Sequence, residues 1–241
     1  MTNDDATTPP SRRVPDPLVM PFANVRHLGF RDKVRATRLA GFGQLSLHPH
    51  EARDTIKGGL RPADMLEIAT ADGVAITRLD PLSNWNPRWL PTNMDAAYID
   101  GFDIEAAEFF ELCGQLGIRY CSLNATFAAD VYPADYVRSG STLDMLAEIP
   151  GDRIHCVQLN DGPLRLPADV TLEENCFDRG WPGTGEFPLT EIVRTLADRD
   201  ALRQVSPEVF SPYNATRSPA EIAALSSDSL HAVLDTADVA Y

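Results

Sequence analysis

Two hydrophobic periods take turns along this chain. Residues 31–48, "RDKVRATRLAGFGQLSLH", residues 62–82, "PADMLEIATADGVAITRLDPL", and residues 103–125, "DIEAAEFFELCGQLGIRYCSLNA", each run from a helical pattern through a glycine into a short apolar run. Gly41, Gly73 and Gly117 stand just past the helical stretches, where a left-handed C-cap residue is needed. The form returns in "STLDMLAEIP" (141–150), which opens on Ser141 with Asp144 at capping-box distance, and in "RIHCVQLND" (153–161). A long loop then leads to a helix over 189–199, a strand over 204–210 and a last helix over 218–237. With "PLVMPFANV" (17–25) as the first strand, the pattern predicts six strands, at least five of them followed by a helix. Helix–glycine–strand units in series indicate parallel α/β structure, and right-handed crossovers curl such a chain into a barrel or a doubly wound sheet. The first strand is followed by no G-x-G-x-x-G, and there is no Walker A sequence, so the nucleotide-binding sheet loses ground to the barrel.

Composition narrows the function classes. The 241 residues carry 21 basic and 35 acidic side chains, a formal net charge of −14, which repels phosphate backbones and anionic membrane surfaces alike. No apolar run approaches the roughly 20 residues of a membrane span. Residues 1–17 are polar and proline-rich without an apolar core, and are expected to form a loose arm ahead of one barrel domain over 18–241. Cys113, Cys121, Cys156 and Cys176 make no C-x-x-C pair, which points to a reducing, cytoplasmic setting without a disulfide framework.

Candidate chemistry lies where polar residues interrupt apolar strands. In residues 153–161, Val157 and Leu159 share a face with His155 and Asp161, while Ile154, Cys156, Gln158 and Asn160 share the other. The aliphatic pair suits the helix side, so Gln158 should point into the lumen near the C-terminal end of its strand, and His155 should not. Gln158 then reads either as a site residue or as an amide satisfied inside the lumen. Glu208, flanked by Val205, Val209 and Phe210, is a carboxylate expected to be buried, and a buried carboxylate needs a partner or a metal. In "RGWPGTGEF" (179–187), Arg179 is placed to reach over a barrel mouth and hold an oxyanion or hydroxyls; the plain alternative is a Gly/Pro loop with a solvated arginine.

Taken in order, "VQLNDGP", "RGWPGTGEFPLTEIVRTL" and "VSPEVFSP" resemble the sugar phosphate isomerase/epimerase family of xylose-isomerase-like TIM barrels, and "GFGQLSL", "ITRLDPLSNWNP" and "LGIRYCSLNA" fit its first half. The resemblance spans most of residues 18–237. It implies one divalent metal, Mg²⁺ or Mn²⁺, at the barrel mouth, with Glu208 as its last ligand, Gln158 in the third ligand's place and Arg179 as a substrate-contacting arginine. A neutral amide oxygen can serve such an ion.

The chain departs from that pattern between "LNATF" and "RIHCV". Only about 25 residues, 128–152, stand where two further strand–helix units would be needed. The family's D-x-x-H-x-x-R-S-G run is reduced to Arg138–Gly140, with Asp135 in place of the His and Tyr132 in place of the Asp. Asp130 or Asp135 would have to substitute as ligand, and metal affinity should be weak or absent. An incomplete barrel of about six units is expected, with a gap between the fourth and fifth strands whose unpaired edges invite pairing with another chain, making a homo-oligomer plausible. The functions implied are a metal-assisted isomerase or epimerase of a small keto sugar or polyol, or its phosphate; a dehydratase of a cyclic keto-polyol built from the same parts; and a barrel relative without activity that binds a sugar or a partner.

Overall fold

The computed structural model describes residues 12–83, 103–123, 142–170, 175 and 177–241. Among them are six strands, β1 Val19–Met20, β2 Gln44–Leu47, β3 Ala75–Leu82, β4 Tyr120–Leu123, β5 Val157–Leu159 and β6 Val205–Pro207. The helices are α1 Phe22–Val25, α2 Phe30–Leu39, α3 Pro49–Lys57, α4 Pro62–Ala71, α5 Ala106–Leu116, α6 Leu143–Ala147, α7 Leu189–Ala197 and α8 Pro219–Thr236.

Every strand ladder is parallel. The strands form two sheets, β1-β2-β3-β4 and β5-β6, and among the described residues no ladder joins β4 to β5. Among the described residues the parallel strands and outer helices form no closed barrel, consistent with the incomplete barrel expected. One hydrophobic core nevertheless runs through both sheets, with Met20, Leu45 and Leu79 from the first and Leu159 and Val205 from the second, all covered by helix residues such as Val34, Met65 and Leu230.

The caps follow the glycines. Gly41, Gly73 and Gly117 adopt φ of 73°, 71° and 61°, a left-handed conformation that L side chains avoid. Other boundaries differ from the pattern. The first strand is only Val19–Met20, because Pro21 opens a short helix in which Phe22 and Val25 are buried. A further helix, Pro49–Lys57, carries no clear hydrophobic period in its mixed "PHEARDTIK" composition; its proline at the first position starts it. The cap of α6 is Thr142, whose hydroxyl accepts from the Met145 N–H at 3.3 Å, one residue later than the Ser141 reading, and Ser141 itself lies outside the described residues. The complete capping box is found instead on α8, between Ser218 and Glu221. At the amino end, residues 12–14 are tied down: Val14 N–H donates to the Ala240 carbonyl at 2.8 Å, Ala240 N–H to that of Arg12 at 3.0 Å, and the Arg12 guanidinium grips Asp198.

The two sheets meet on the other side through Asn24. Its side chain is fully buried, donates to the Pro207 carbonyl at 2.7 Å and accepts from the Val209 N–H at 2.9 Å, so one carboxamide supplies the donor and acceptor that a neighbouring strand would offer to β6. Beneath the mouth, a polar layer crosses the lumen. Arg78 donates to Gln204 Oε1 at 2.6 Å, Gln204 donates to Gln44 Oε1 at 3.1 Å, and the Thr77 hydroxyl donates to the same oxygen at 2.8 Å.

Asn24→Ala strips β6 of both partners and leaves the Pro207 carbonyl and Val209 N–H buried. The variant should lose on the order of 3 kcal/mol in urea unfolding, because each orphaned buried polar group costs about 1–3 kcal/mol. A loss below about 1 kcal/mol would mean that the bridge between the sheets does not depend on this amide.

Candidate active site

The C-terminal ends of parallel strands are where a barrel exposes its loops and gathers side chains. Here β3 brings Arg78 and Asp80 to one face, since residues two apart share a side of the sheet. Gln158 stands in β5, and Glu208 follows β6 directly, its N–H donating to the Leu159 carbonyl at 2.8 Å as a continuation of the ladder. These three strands converge on one cluster. The Gln158 Nε2 donates to Glu208 Oε1 at 2.8 Å and to Asp80 Oδ2 at 3.3 Å, and Ser122 from β4 adds a hydrogen bond to Asp80.

The electrostatics follow from that geometry. Glu208 is pushed up to about 8, first by loss of solvent and then by the Asp80 carboxylate; Arg78 and the Gln158 hydrogen bond offset part of this. Asp80 is raised too, chiefly by burial, against Arg78, Ser122 and Gln158. Asp80 is buried, Glu208 half-buried and Gln158 exposed at the open end of the strands, and Glu208, facing the Asp80 carboxylate, retains its proton near neutral pH. Cys156, on the same face as Gln158, is raised by burial and meets the Arg78 guanidinium. Arg78 itself is buried and also lies over the Tyr120 ring, 5.9 Å from its centroid.

An aromatic rim stands above this polar floor. Phe22, just past β1, lies 5.1 Å from the ring of His48, just past β2, and 5.5 Å from Phe210, just past β6; Phe177 lies 5.9 Å from Phe210. His48 is lowered to about 3, mainly by burial and then by neighbouring positive charge, so it is neutral. Outside the rim, Arg26, Phe177, Phe210, Ser211 and Asn214 line a cleft of about 370 Å³.

Arg179 is placed at the same end of the molecule: its N–H donates to the Phe210 carbonyl at 2.8 Å. It is 7% exposed, which departs from the plain alternative of a solvated arginine on a Gly/Pro loop. Asp161 holds the loop that follows it. The Asp161 carboxylate accepts from the N–H groups of Gly162 at 2.8 Å, Gly183 at 3.0 Å and Phe187 at 3.0 Å. Gly185 has no room for a side chain, because a Cβ would stand 2.4 Å from Asp161 Oδ1.

The structure thus brings Gln158 and Glu208 into contact, seats Arg179 beside the end of β6 and leaves His155 exposed. Leu159 is buried and Val157 packs on the core, as alternation requires. Asp130, Tyr132, Asp135 and Arg138 lie outside the described residues. Sequence reasoning passed over Asp80 and Arg78. Their signal was present in "ITRLDPL", where two charged residues interrupt an apolar strand at the spacing of one face, the same signal that singled out Glu208. Among the described residues, no three of His, Cys, Asp and Glu gather as a metal-ligand group, and no helix is long and apolar enough to cross a membrane.

No protein-family model and no curated protein matches the chain. Solved structures do. The "IOLI protein with a binding zinc atom" superposes with a TM-score of 0.68 at 15% identity, covering 92% of this chain and 98% of that one. A xylose isomerase domain protein from Alicyclobacillus acidocaldarius gives 0.60 at 14%, over 92% and 99%. A xylose isomerase-like TIM barrel/4-hydroxyphenylpyruvate dioxygenase fusion protein gives 0.66 at 16%; the match covers 92% of this chain but only 42% of that longer one. The fold is that of the xylose isomerase-like TIM barrels, here with its strands in two sheets.

The carboxylate pair sets a pH dependence for the metal-free protein. Glu208 keeps its proton in the fold up to about 8, whereas the unfolded chain releases it near 4.5, so its contribution to stability is lost as pH rises through that window. His48 acts in the opposite direction, stabilising as pH rises from about 3 to 6.5. Between pH 6.5 and 8 the Glu208 effect stands without that opposition, and chelator-treated protein should lose about 1 kcal/mol of unfolding free energy. Glu208→Gln should flatten that interval; an unchanged slope in the variant would place the retained proton elsewhere.

Proposed function

We propose that this chain is an isomerase or epimerase of a small keto sugar or polyol, or of its phosphate, assisted by a divalent metal. The observation that carries the reading is the meeting of Asp80, Gln158 and Glu208 at the ends of three parallel strands, in a fold whose sites lie at that end.

The donor set fits a hard cation. Two carboxylates raised by burial, Glu208 also by the Asp80 charge, gain most from a positive ion between them, and the Gln158 carboxamide can turn its oxygen toward it. Mg²⁺ or Mn²⁺ suits these oxygen donors, and such an ion polarises a substrate carbonyl and its neighbouring hydroxyl. The remaining work falls to the chain. Glu208, whose carboxylate the cation would hold ionised, is the base we assign to the proton on the carbon beside the carbonyl. Arg179 holds substrate oxygens or a phosphate with its planar fork. The rim of Phe22, Phe177 and Phe210 excludes water and gives a sugar's C–H faces an apolar wall.

A second reading, a sugar-binding barrel without chemistry, is favoured by one observation: the described residues supply two carboxylates and an amide rather than a full group of charged ligands. Solvent exchange separates the two. Incubated with a panel of ketoses in D₂O with Mn²⁺, the protein should introduce deuterium at the carbon next to the carbonyl, and Glu208→Gln should abolish it. Binding of the same sugars without exchange would favour the second reading.

Calorimetric titration should give one Mn²⁺ site weaker than micromolar, with Asp80→Asn and Glu208→Gln each weakening it at least about tenfold. Tight stoichiometric binding that survives both substitutions would place the metal elsewhere.

Because Arg179 is buried, its truncation to alanine would cost stability as well as binding. Arg179→Lys keeps the charge and the stem but removes the fork. The exchange rate should fall about tenfold while the Tm stays within a few degrees. A large fall in Tm with an unchanged exchange rate would assign Arg179 to the fold alone.

A further inference from the structure

Two cysteines that the site does not use stand together on β4 and the helix that precedes it. Cys113 lies in α5 and Cys121 in β4, eight residues further on, and their sulfurs are 3.5 Å apart. The pairing follows from strand alternation. Ser122 turns into the lumen to reach Asp80, so Cys121 faces the opposite side, where α5 packs. Cys121 is exposed and Cys113 half-buried. Among the described residues β4 has a strand neighbour on one side only, β3.

We infer that Cys113 and Cys121 are a thiol–disulfide pair, oxidised by a low-molecular-weight disulfide such as glutathione disulfide to a bond that fastens α5 to β4. The sulfurs need to approach by about 1.5 Å to reach covalent length. The intervening "CGQLG" eases that movement. Gly114 has open space where a side chain would be, and Gly117 ends the helix in the left-handed conformation.

The order of attack follows from the two environments. Burial, and then the neighbouring Cys121 sulfur, push the Cys113 thiol up to about 12, so the exposed Cys121 supplies the first thiolate. It attacks one sulfur of glutathione disulfide, breaks that bond and releases one glutathione thiolate, leaving a mixed disulfide on Cys121. The departing thiolate takes up a proton. Cys113, giving its proton to solvent or to a second leaving thiolate, then attacks the Cys121 sulfur and releases the second glutathione. In sum one disulfide is reduced and one formed: two electrons and two protons pass from the protein pair to two glutathione thiols.

The test is an equilibrium titration of the full chain in glutathione mixtures running from strongly reducing to strongly oxidising. Intact mass, thiol counting and peptide mapping are the readouts. Two of the four thiols should disappear together, with a mass loss of two hydrogens, and the map should join the peptides of Cys113 and Cys121. Cys156→Ser should keep this behaviour, and Cys113→Ser should stop at a glutathione adduct on Cys121. The wild-type map needs no variant to fold. Four free thiols across the whole range, a lasting glutathione adduct on the wild-type protein, or a link between other cysteines would each overturn the pair.

Discussion

The carboxamide of Asn24 holds the barrel wall together where hydrogen-bonded strands do not. It sits in α1 immediately after β1, in a fully buried position, and satisfies the carbonyl of Pro207 and the N–H of Val209 at once. The residue between those two is Glu208. An amide that fixes both neighbours of a carboxylate fixes where that carboxylate points, so the join between the sheets and the orientation of the candidate catalytic group are one constraint. The Ser226 hydroxyl, which accepts from the same Nδ2 at 3.1 Å, ties α8 into the join.

The lumen is arranged in layers of different polarity. At the bottom, Gln44, Thr77, Gln204 and Arg78 satisfy one another and cross from one sheet to the other. Above them, Asp80, Gln158 and Glu208 are under electrostatic tension: one amide nitrogen serves two carboxylates, and burial disfavours charge on both. Arg78 lies between the two layers in its influence, bonded downward to Gln204 and lowering the carboxylates above it. A cluster that holds a proton near neutrality, or exchanges it for a cation, is poised for proton transfer, whereas a fully paired network would be inert.

The loop over the mouth is fixed from within the same strand system. Asp161 stands just beyond β5 and uses its two carboxylate oxygens to hold three backbone N–H groups, two of them across the loop at Gly183 and Phe187. The Asp161–Gly180 bridge and the Arg179–Phe210 hydrogen bond add the other edge. The polar residues at the end of "RIHCVQLND" thus divide their labour: Gln158 turns to the lumen cluster, and Asp161 organises the loop that carries Arg179.

The sequence by itself determined the parallel α/β class, the places of the described strands, the left-handed glycines and the meeting of Gln158 with Glu208. All of these rest on local rules, a period of two in strands and an allowed φ for glycine, that hold wherever the segment ends up. The helix Pro49–Lys57 escaped because its apolar face is narrow, and the first strand was shortened by a proline whose helical start shows only in context. Tertiary structure alone decided the rest. Asp80 became the partner of Gln158 across 78 positions, and Asn24 the partner of Pro207 across 183. Arg179 was buried because the loop folds back onto Phe210, and Cys113 met Cys121 because α5 packs on its own following strand. Contacts of this kind depend on which strands become neighbours when the core closes. Closure is a property of the whole chain's packing, and no local period records it.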